Sequence, residues 1–266
     1  MSFILGLIFL CAGASAVAAE YDCLSVAGKL KQIDAGAGEV YGVDDNGTTF
    51  HLVGDSWQQL PGQFIHVTVG PAGVWAINRT NSLHKLQDNR WKPVTGFLQQ
   101  VDAGFSKSVG GVGPFGYIYC LNENCVNSRS SLLTFTRIDG SLRYYSCGLF
   151  GCWGLSFDNR IFFRQNVASS ACQGTGWQPI EGSLRVIEVG TDGSVYGINP
   201  AGDALKRMDV TASNPTGTSW SQIDVCATFR HVTYDAGVLW LLSKNGDIYK
   251  CAENNNSADT KETIAV

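Results

Sequence analysis

Short apolar runs separated by turn residues account for most of this chain. The runs span four to seven residues, alternate partly between apolar and polar positions, and end in glycine or Asn-Gly, as in residues 31–36 and 40–47. Such runs predict antiparallel strands joined by tight turns. No stretch has sustained helical periodicity, so the pattern predicts an all-β protein.

Two aromatic positions recur along the chain, about eighteen residues apart within one unit. In the clearest unit, Trp57 opens the segment WQQLPG, and Trp75 lies in the apolar run VWAI. The first position is held by Trp57, Trp91, Phe135, Trp177 and Trp220. The second is held by Tyr41, Trp75, Tyr119, Trp153, Tyr196 and Trp240. Successive copies lie 34 to 44 residues apart, and self-similarity at this period indicates a repeat architecture.

The two ends of the repeat array complement each other. Residues 23–28 match the outer strand of a unit, whereas the sixth unit stops at Cys251 without an outer strand. A ring closed by the N-terminal strand would remove the exposed sheet edge, and a Cys23–Cys251 disulfide would fasten it. We predict a six-bladed β-propeller, with a β-sandwich or barrel as the alternative. The third unit carries about ten extra residues, 105–114, which we expect to project from one rim.

The composition suits a folded domain with no nucleic-acid partner. Of 266 residues, 44% are hydrophobic and only 16% are charged, which excludes an intrinsically disordered chain. The formal net charge is −4, and acidic and basic residues are interspersed. Nothing therefore indicates a nucleic-acid groove or a polybasic membrane patch.

The first nineteen residues differ in character from the rest. An apolar run at residues 3–11 is followed by small residues, which predicts a signal peptide at 1–19, cut after Ala19 or alternatively after Ala16. The run is shorter than the roughly 20 residues of a membrane anchor, although no Lys or Arg precedes it. We expect a secreted, extracellular protein without a membrane span. Residues 20–253 would form the propeller and 254–266 a polar tail.

Eight of the nine cysteines remain once Cys11 leaves with the signal peptide. An even number in a secreted chain predicts disulfides. Spacing and elimination predict, besides Cys23–Cys251, the pairs Cys120–Cys125, Cys147–Cys152 and Cys172–Cys226. The two C-x4-C pairs could instead bind zinc, but zinc ligand pairs are usually closer in sequence.

The segments WxxLPG, the (I/V)DAG-type strands and the VYGV or VWAI runs resemble the tectonin repeat. The likeness covers all six units from Tyr21 to about Glu253, and the whole resembles the fish-egg lectins and the related tachylectin. This resemblance implies a secreted propeller of tectonin repeats that binds N-acetylglucosamine and bacterial cell-wall glycans. It also implies a role in recognition, innate immunity or protection of the egg.

No catalytic constellation is present in the sequence. The four histidines (His51, His66, His84 and His231) form no HExxH motif, and no GxSxG motif occurs. Asp34, Asp102 and Glu188 recur at one repeat position, which indicates repeat architecture rather than a unique active site. Ser156-Phe157-Asp158 begins like a sialidase Asp box, but the glycine and tryptophan that complete one do not follow. We expect a protein that is not an enzyme.

Sugar binding requires an aromatic surface beside a few fixed polar groups, and polar turns beside tryptophans could supply both. The candidate sugar-binding residues are Asp44, Asp45, Asn78, Arg79, Asp158, Asn199, Lys244 and Asn245. The alternative for each polar residue is a turn that satisfies its own backbone, and for each tryptophan packing between blades. Shallow sites repeated around a ring would bind repetitive glycans by avidity.

The remaining expectations concern glycosylation, cation binding and oligomeric state. The sequons begin at Asn46, Asn78 and Asn255, and Asn46 in its Asn-Gly turn is the expected glycosylation site. A glycan on Asn78 would block the sugar site proposed there. No cofactor is required, although acidic turns such as 44–46 could bind Ca²⁺. A homodimer is compatible with the sequence, and a structural propeller without a sugar site is the alternative function.

Overall fold

The computed structural model describes residues 21–104, 108–168, 170–225 and 227–254, which form six four-stranded antiparallel sheets. The sheets are the blades of a propeller, so the predicted all-β, six-bladed fold is confirmed. The predicted signal peptide, Cys226 and nearly all of the C-terminal tail lie outside the described residues. No helix among the described residues has the length and apolarity needed to cross a bilayer.

Each blade is built from consecutive strands, except the last. The first three blades comprise β2 (Gln32–Gly36), β3 (Glu39–Val43), β4 (Thr48–Val53) and β5 (Ser56–Gln63); β6 (His66–Gly70), β7 (Gly73–Ile77), β8 (Ser82–Gln87) and β9 (Arg90–Phe97); and β10 (Gln100–Asp102), β11 (Val109–Val112), β12 (Ile118–Leu121) and β13 (Thr136–Ile138). A single turn of helix, α1 (Glu123–Val126), lies between β12 and β13.

The other three blades follow the same order. They comprise β14 (Tyr144–Gly148), β15 (Gly151–Leu155), β16 (Arg160–Arg164) and β17 (Trp177–Ser183); β18 (Val186–Val189), β19 (Val195–Ile198), β20 (Ala204–Arg207) and β21 (Trp220–Gln222); and β22 (Phe229–Asp235), β23 (Val238–Ser243) and β24 (Ile248–Glu253) with β1 (Tyr21–Val26). The first strands β2, β6, β10, β14, β18 and β22 are almost entirely buried and contact one another in cyclic order.

The N-terminal strand closes the ring as the sequence predicted. Strand β1 pairs antiparallel with β24, and Cys23 lies directly opposite Cys251. The two cysteines form a disulfide with a Cα–Cα distance of 4.0 Å across a sequence separation of 228 residues. In the chain-entropy model, such a long loop stabilises the folded state by about 5 kcal/mol.

The inner strands approach one another so closely that they need glycine. Gly70 ends β6, and a Cβ atom there would lie 2.3 Å from the carbonyl oxygen of Ala103 in the next blade. Gly36 stands in the same relation to the carbonyl of Val69. The glycine that ends several of the apolar runs is therefore a packing requirement of the ring as well as a turn residue.

The third blade departs from the predicted register. Residues 109–112 form its second strand, β11, and are buried rather than part of a projecting insertion; residues 105–107 of that segment lie outside the described residues. Tyr119 lies on the third strand, β12, whereas the other aromatics of its series lie on second strands. Gly110 takes the usual aromatic position opposite Asp102, and Tyr145 of the next blade fills the space beside it. The predicted register of the third blade was wrong because the aromatic side chain at this position is supplied by Tyr145, from another blade.

Two of the predicted disulfide pairings are wrong. Cys120 bonds to Cys172, not to Cys125, and so joins the third blade to the fourth. A C-x4-C hairpin disulfide requires two paired strands, as for Cys147 and Cys152, which lie opposite each other and are bonded. The chain after Cys120 instead enters α1, which carries Cys125 away as a free thiol. Since Cys172 is already bonded, the expected Cys172–Cys226 pair is excluded.

Candidate functional site

The predicted sugar-binding residues all lie on the turns between the second and third strands of their blades. We call the six turns of this kind, residues 44–47, 78–81, 113–117, 156–159, 199–203 and 244–247, the rim turns. Because each follows the same end of a second strand, all six lie on one face of the propeller. The eight residues do not converge on one pocket but are distributed around this face.

Every rim turn is held by the blade that follows it. A backbone N–H at the entry to the next blade donates to a carbonyl of the turn, at 2.7 to 3.0 Å in all six places. The pairs are Leu30 to Gly246, Phe64 to Gly47, Leu98 to Asn81, Leu142 to Gly116, Leu184 to Asn159 and Phe229 to Gly202. These bonds fix the backbone of each turn at a blade boundary, which pre-organises its side chains.

Three of the candidate side chains accept hydrogen bonds from backbone N–H groups of their own turns, and Asp158 accepts from the hydroxyl of Ser156 and from Arg160. The Oδ1 atom of Asp44 accepts hydrogen bonds from the N–H groups of Asn46 and Thr48, at 2.9 and 2.7 Å. Asn78 accepts from Thr80 and Ser82 in the same way, and Asn199 accepts from Gly202 and Asp203. These oxygens are occupied as the turn interpretation expected.

The other five candidates, Asp45, Arg79, Asp158, Lys244 and Asn245, are exposed. Two of them reach a neighbouring rim turn. Arg79 donates to the carbonyl of Asn46 at 3.0 Å, and Lys244 donates to that of Ala201 at 3.1 Å. At the boundary of the sixth and first blades, Asp45 lies 3.9 Å from Arg230. At these three boundaries, polar groups from two blades thus lie side by side.

The recurring aromatics mainly pack the blades together. Those of the second-strand series, such as Trp75 and Tyr196, are fully buried. Those of the outer strands are half-buried, and Trp91 packs against Gly62 of the preceding blade. Trp177 and Trp220 each donate Nε1–H to a backbone carbonyl of the blade that precedes their own, at 2.8 and 3.0 Å. The packing interpretation therefore holds for these rings.

One aromatic pocket was missed by the sequence analysis. A cavity of about 320 Å³ lies between the second and third blades and is lined by Phe97, Pro114, Phe115, Tyr117, Tyr119 and Phe135, among others. Phe97, Phe115 and Tyr117 are 56%, 77% and 42% exposed. The signal in the sequence is Pro114-Phe115-Gly116-Tyr117, two aromatics in a turn. Pro114 was assigned to the insertion at residues 105–114, and Phe115 and Tyr117 were not among the predicted site residues.

Six polar side chains, one from the first strand of each blade, lie at the centre of the ring. At equivalent positions, carboxylates alternate with hydroxyls: Asp34, Thr68, Asp102, Ser146, Glu188 and Thr233, all buried. Thr233 donates to Asp34 at 3.0 Å, and Ser146 contacts Asp102 and Glu188 at 3.0 and 3.1 Å.

Burial shifts the pKa of these groups strongly. It raises the pKa of Asp34 to about 6. Burial and the charge of Asp34 together raise the pKa of Asp102 to about 7, and the pKa of Glu188 is raised well above its usual range for the same two reasons. Burial lowers the pKa of His66 to about 4 and that of His231 to about 3.

The described parts of the chain contain no preformed metal site. No group of three or more His, Cys, Asp or Glu side chains is arranged there to hold an ion. In the acidic turn considered for Ca²⁺, Asp44 already accepts two backbone hydrogen bonds.

Known proteins share this sequence pattern and this fold. The chain is 42% identical over 233 residues to fish-egg lectin from Cyprinus carpio, covering 86% of this chain and 98% of that protein. Among solved structures, human WBSCR16 has a TM-score of 0.55 at 11% identity, with 88% of this chain and 73% of that one covered. The structure of YCF48 bound to D1 peptide has a TM-score of 0.54 at 14% identity, covering 88% and 78%. These two likenesses show the fold alone. The family model of the Tectonin domain matches residues 29–244, and the chain therefore belongs to the tectonin family.

Proposed function

We propose that this protein is a secreted lectin that binds N-acetylglucosamine-containing glycans, such as bacterial surface polysaccharide or the glycans of an egg envelope. The observation that carries the proposal is the 42% identity to a fish-egg lectin over 98% of that lectin's length. The tectonin match and the propeller fold also favour binding over catalysis.

The rim turns are the proposed sugar sites. Asp45, Arg79, Asp158, Lys244 and Asn245 are exposed and would hydrogen-bond the hydroxyl and acetamide groups of the sugar. Asp44, Asn78 and Asn199 would act indirectly, because their side-chain oxygens shape the turns. Turns that are already fixed at blade boundaries lose little conformational entropy when a sugar binds.

Several weak sites on one rigid face would act together on a repetitive glycan. Linked sites can gain roughly 10²–10⁴ in overall affinity without any new contact. We expect polymeric or surface-bound N-acetylglucosamine to be bound far more tightly than the free sugar.

Affinity chromatography tests the lectin proposal. The purified protein should be retained on immobilised N-acetylglucosamine and eluted by the free sugar. A protein that passes unretained, and that binds polymer no better than monomer in solution, would instead be the structural propeller considered above.

Substitution of the exposed rim residues tests the location of the sites. A variant with Asp45→Ala, Arg79→Ala, Asp158→Ala and Lys244→Ala should elute at a much lower sugar concentration. The matched control is Asp55→Ala with Asn89→Ala, because these exposed residues lie on turns of the opposite face. Equal retention of both variants would move the sites away from the rim turns.

Secretion is part of the same proposal. The three disulfides in the described residues suit an oxidising compartment. N-terminal sequencing of the mature protein should begin at Glu20, and enzymatic deglycosylation should remove a glycan from Asn46. Detection of Met1 in the mature product would contradict the signal peptide.

A further inference from the structure

The pocket between the second and third blades is lined in part by the rim turn at residues 113–117, and it differs chemically from the other five rim turns. Its wall is made of aromatic residues, leucines, glycines and a proline, and none of the residues that line it is acidic. Phe115 and Tyr117 lie with ring centroids 6.5 Å apart, and both residues are exposed to solvent. Exposed rings of this kind can stack on the apolar face of a sugar.

A cation lies at the edge of this pocket. The guanidinium of Arg137 stacks over the Tyr117 ring, with Cζ 4.1 Å from the ring centroid. In the sheet register Arg137 is directly opposite Tyr119, so both side chains lie on the face of the blade that lines the pocket. Arg137 is exposed, and its side chain makes no hydrogen bond or ion pair with any described residue. Its N–H donors are therefore available to a ligand.

We propose that this pocket binds a pyranose that carries a carboxylate. The apolar face of the sugar would stack on Phe115 and Phe97, and the carboxylate would accept hydrogen bonds from Arg137. A planar guanidinium suits a carboxylate because it can donate two parallel hydrogen bonds, and stacking on Tyr117 already orients it. A cavity of about 320 Å³ suits a single ring.

This proposal rests on the proposed lectin function and narrows the class of sugar at one blade boundary. A glycan in which neutral and acidic sugars alternate could occupy the other rim turns and this pocket at once. The acidic sugar could be a uronic acid or an N-acetylated sugar bearing a lactyl ether, and the two sources share the same carboxylate chemistry.

Two matched sugar pairs test the proposal by titration of the full mature protein, followed by the NMR signals of residues 113–117. Glucuronic acid is compared with glucose, and N-acetylmuramic acid with N-acetylglucosamine; the members of each pair differ in the carboxylate-bearing group. We expect at least one acid to bind roughly tenfold more tightly than its neutral partner, the usual value of a charge-assisted hydrogen bond. The pair that shows the preference identifies the source.

Variants separate the two parts of the pocket. Arg137→Gln should reduce the acid's affinity to that of the neutral sugar, whereas Phe115→Ala should weaken both members of the pair. Arg90→Gln is the control, since Arg90 is exposed at the opposite end of the strand that carries Phe97. An acid preference that is absent from the wild type, or that survives in Arg137→Gln, overturns the proposal. If the wild type is still retained on immobilised N-acetylglucosamine, the lectin function stands and only this inference fails.

Discussion

The hydroxyl of Ser146 contacts two carboxyl groups, although it has only one proton to donate. It also accepts the N–H of Val189 at 3.0 Å. Since Ser146 can donate to only one of Asp102 and Glu188, the other contact requires a protonated carboxyl group. The raised pKa values of both acids agree with this arrangement. A proton is thus part of the packing at the centre of the ring.

Replacement of one central acid should change how stability depends on pH. A pKa of about 7 in the folded state, against about 3.9 in the unfolded state, means that Asp102 stabilises most at low pH. Its contribution is lost as pH rises through 7. Asp102→Asn stays neutral, so the free energy of unfolding of the variant minus that of the wild type should rise by on the order of 3 kcal/mol between pH 4 and 8.

Urea denaturation at several pH values measures this difference. His66 and His231 have lowered pKa values and act with the opposite sign, but they are present in both proteins and cancel. The exposed Asp88→Asn serves as control and should show a flat difference. A flat difference for Asp102→Asn as well would show that Asp102 is ionised in the folded state.

Between elements, the contact of inner strands is sensitive to a single methyl group. Gly70→Ala would place Cβ against the carbonyl of Ala103, where neither backbone can move without displacing a blade. We expect a loss of several kcal/mol in the free energy of unfolding, on the scale of overpacked cores. Gly73→Ala is the comparison, because its positive φ strains alanine but nothing lies within 4 Å. Its expected loss is roughly 1 kcal/mol, and equal losses would contradict the close approach.

The disulfide between the third and fourth blades makes a second prediction at this scale. Cys120→Ser with Cys172→Ser should lower the free energy of unfolding by about 4 kcal/mol, because the bond closes a loop of 52 residues. Cys125→Ser should have almost no effect, since Cys125 is a free thiol. Thermal unfolding measures both changes, and peptide mapping without reduction should recover Cys120 linked to Cys172. Recovery of Cys120 linked to Cys125 would restore the hairpin pairing.

The elements that follow local patterns could be predicted from the sequence, and those that depend on a neighbour could not. Strands and turns are indicated by the apolar runs, and ring closure is indicated by the unmatched terminal units. The register of the third blade has no such local signal, because Tyr145 of a different blade occupies the space beside Gly110. The partner of Cys120 is likewise set by where α1 directs the chain.

The candidate site divides in the same way. The rim turns could be found from their polar residues, but sequence could not separate Asn199, whose oxygen is used by its own turn, from the exposed Lys244. The aromatic pocket joins the end of β9 to a turn of the next blade, so no local window contains it.

For the whole molecule, the closing disulfide should matter more than a local one. Cys23→Ser with Cys251→Ser should lower the free energy of unfolding by about 5 kcal/mol, and Cys147→Ser with Cys152→Ser by about 2 kcal/mol, because the loops span 228 and 5 residues. Denaturant titration of both variants measures the ratio. If the two losses were equal, loop closure would not explain the role of the terminal bond.

The pairing of Tyr21 with Glu253 places the first and last strands of the propeller side by side in one sheet. If a short linker joined those two strands, the polypeptide could therefore begin and end at any other blade boundary. Circular permutants opened at exposed turns should refold to the same six-bladed propeller. For a protein used as a reagent, this permits attachment to a surface through whichever turn leaves the opposite face open to solution.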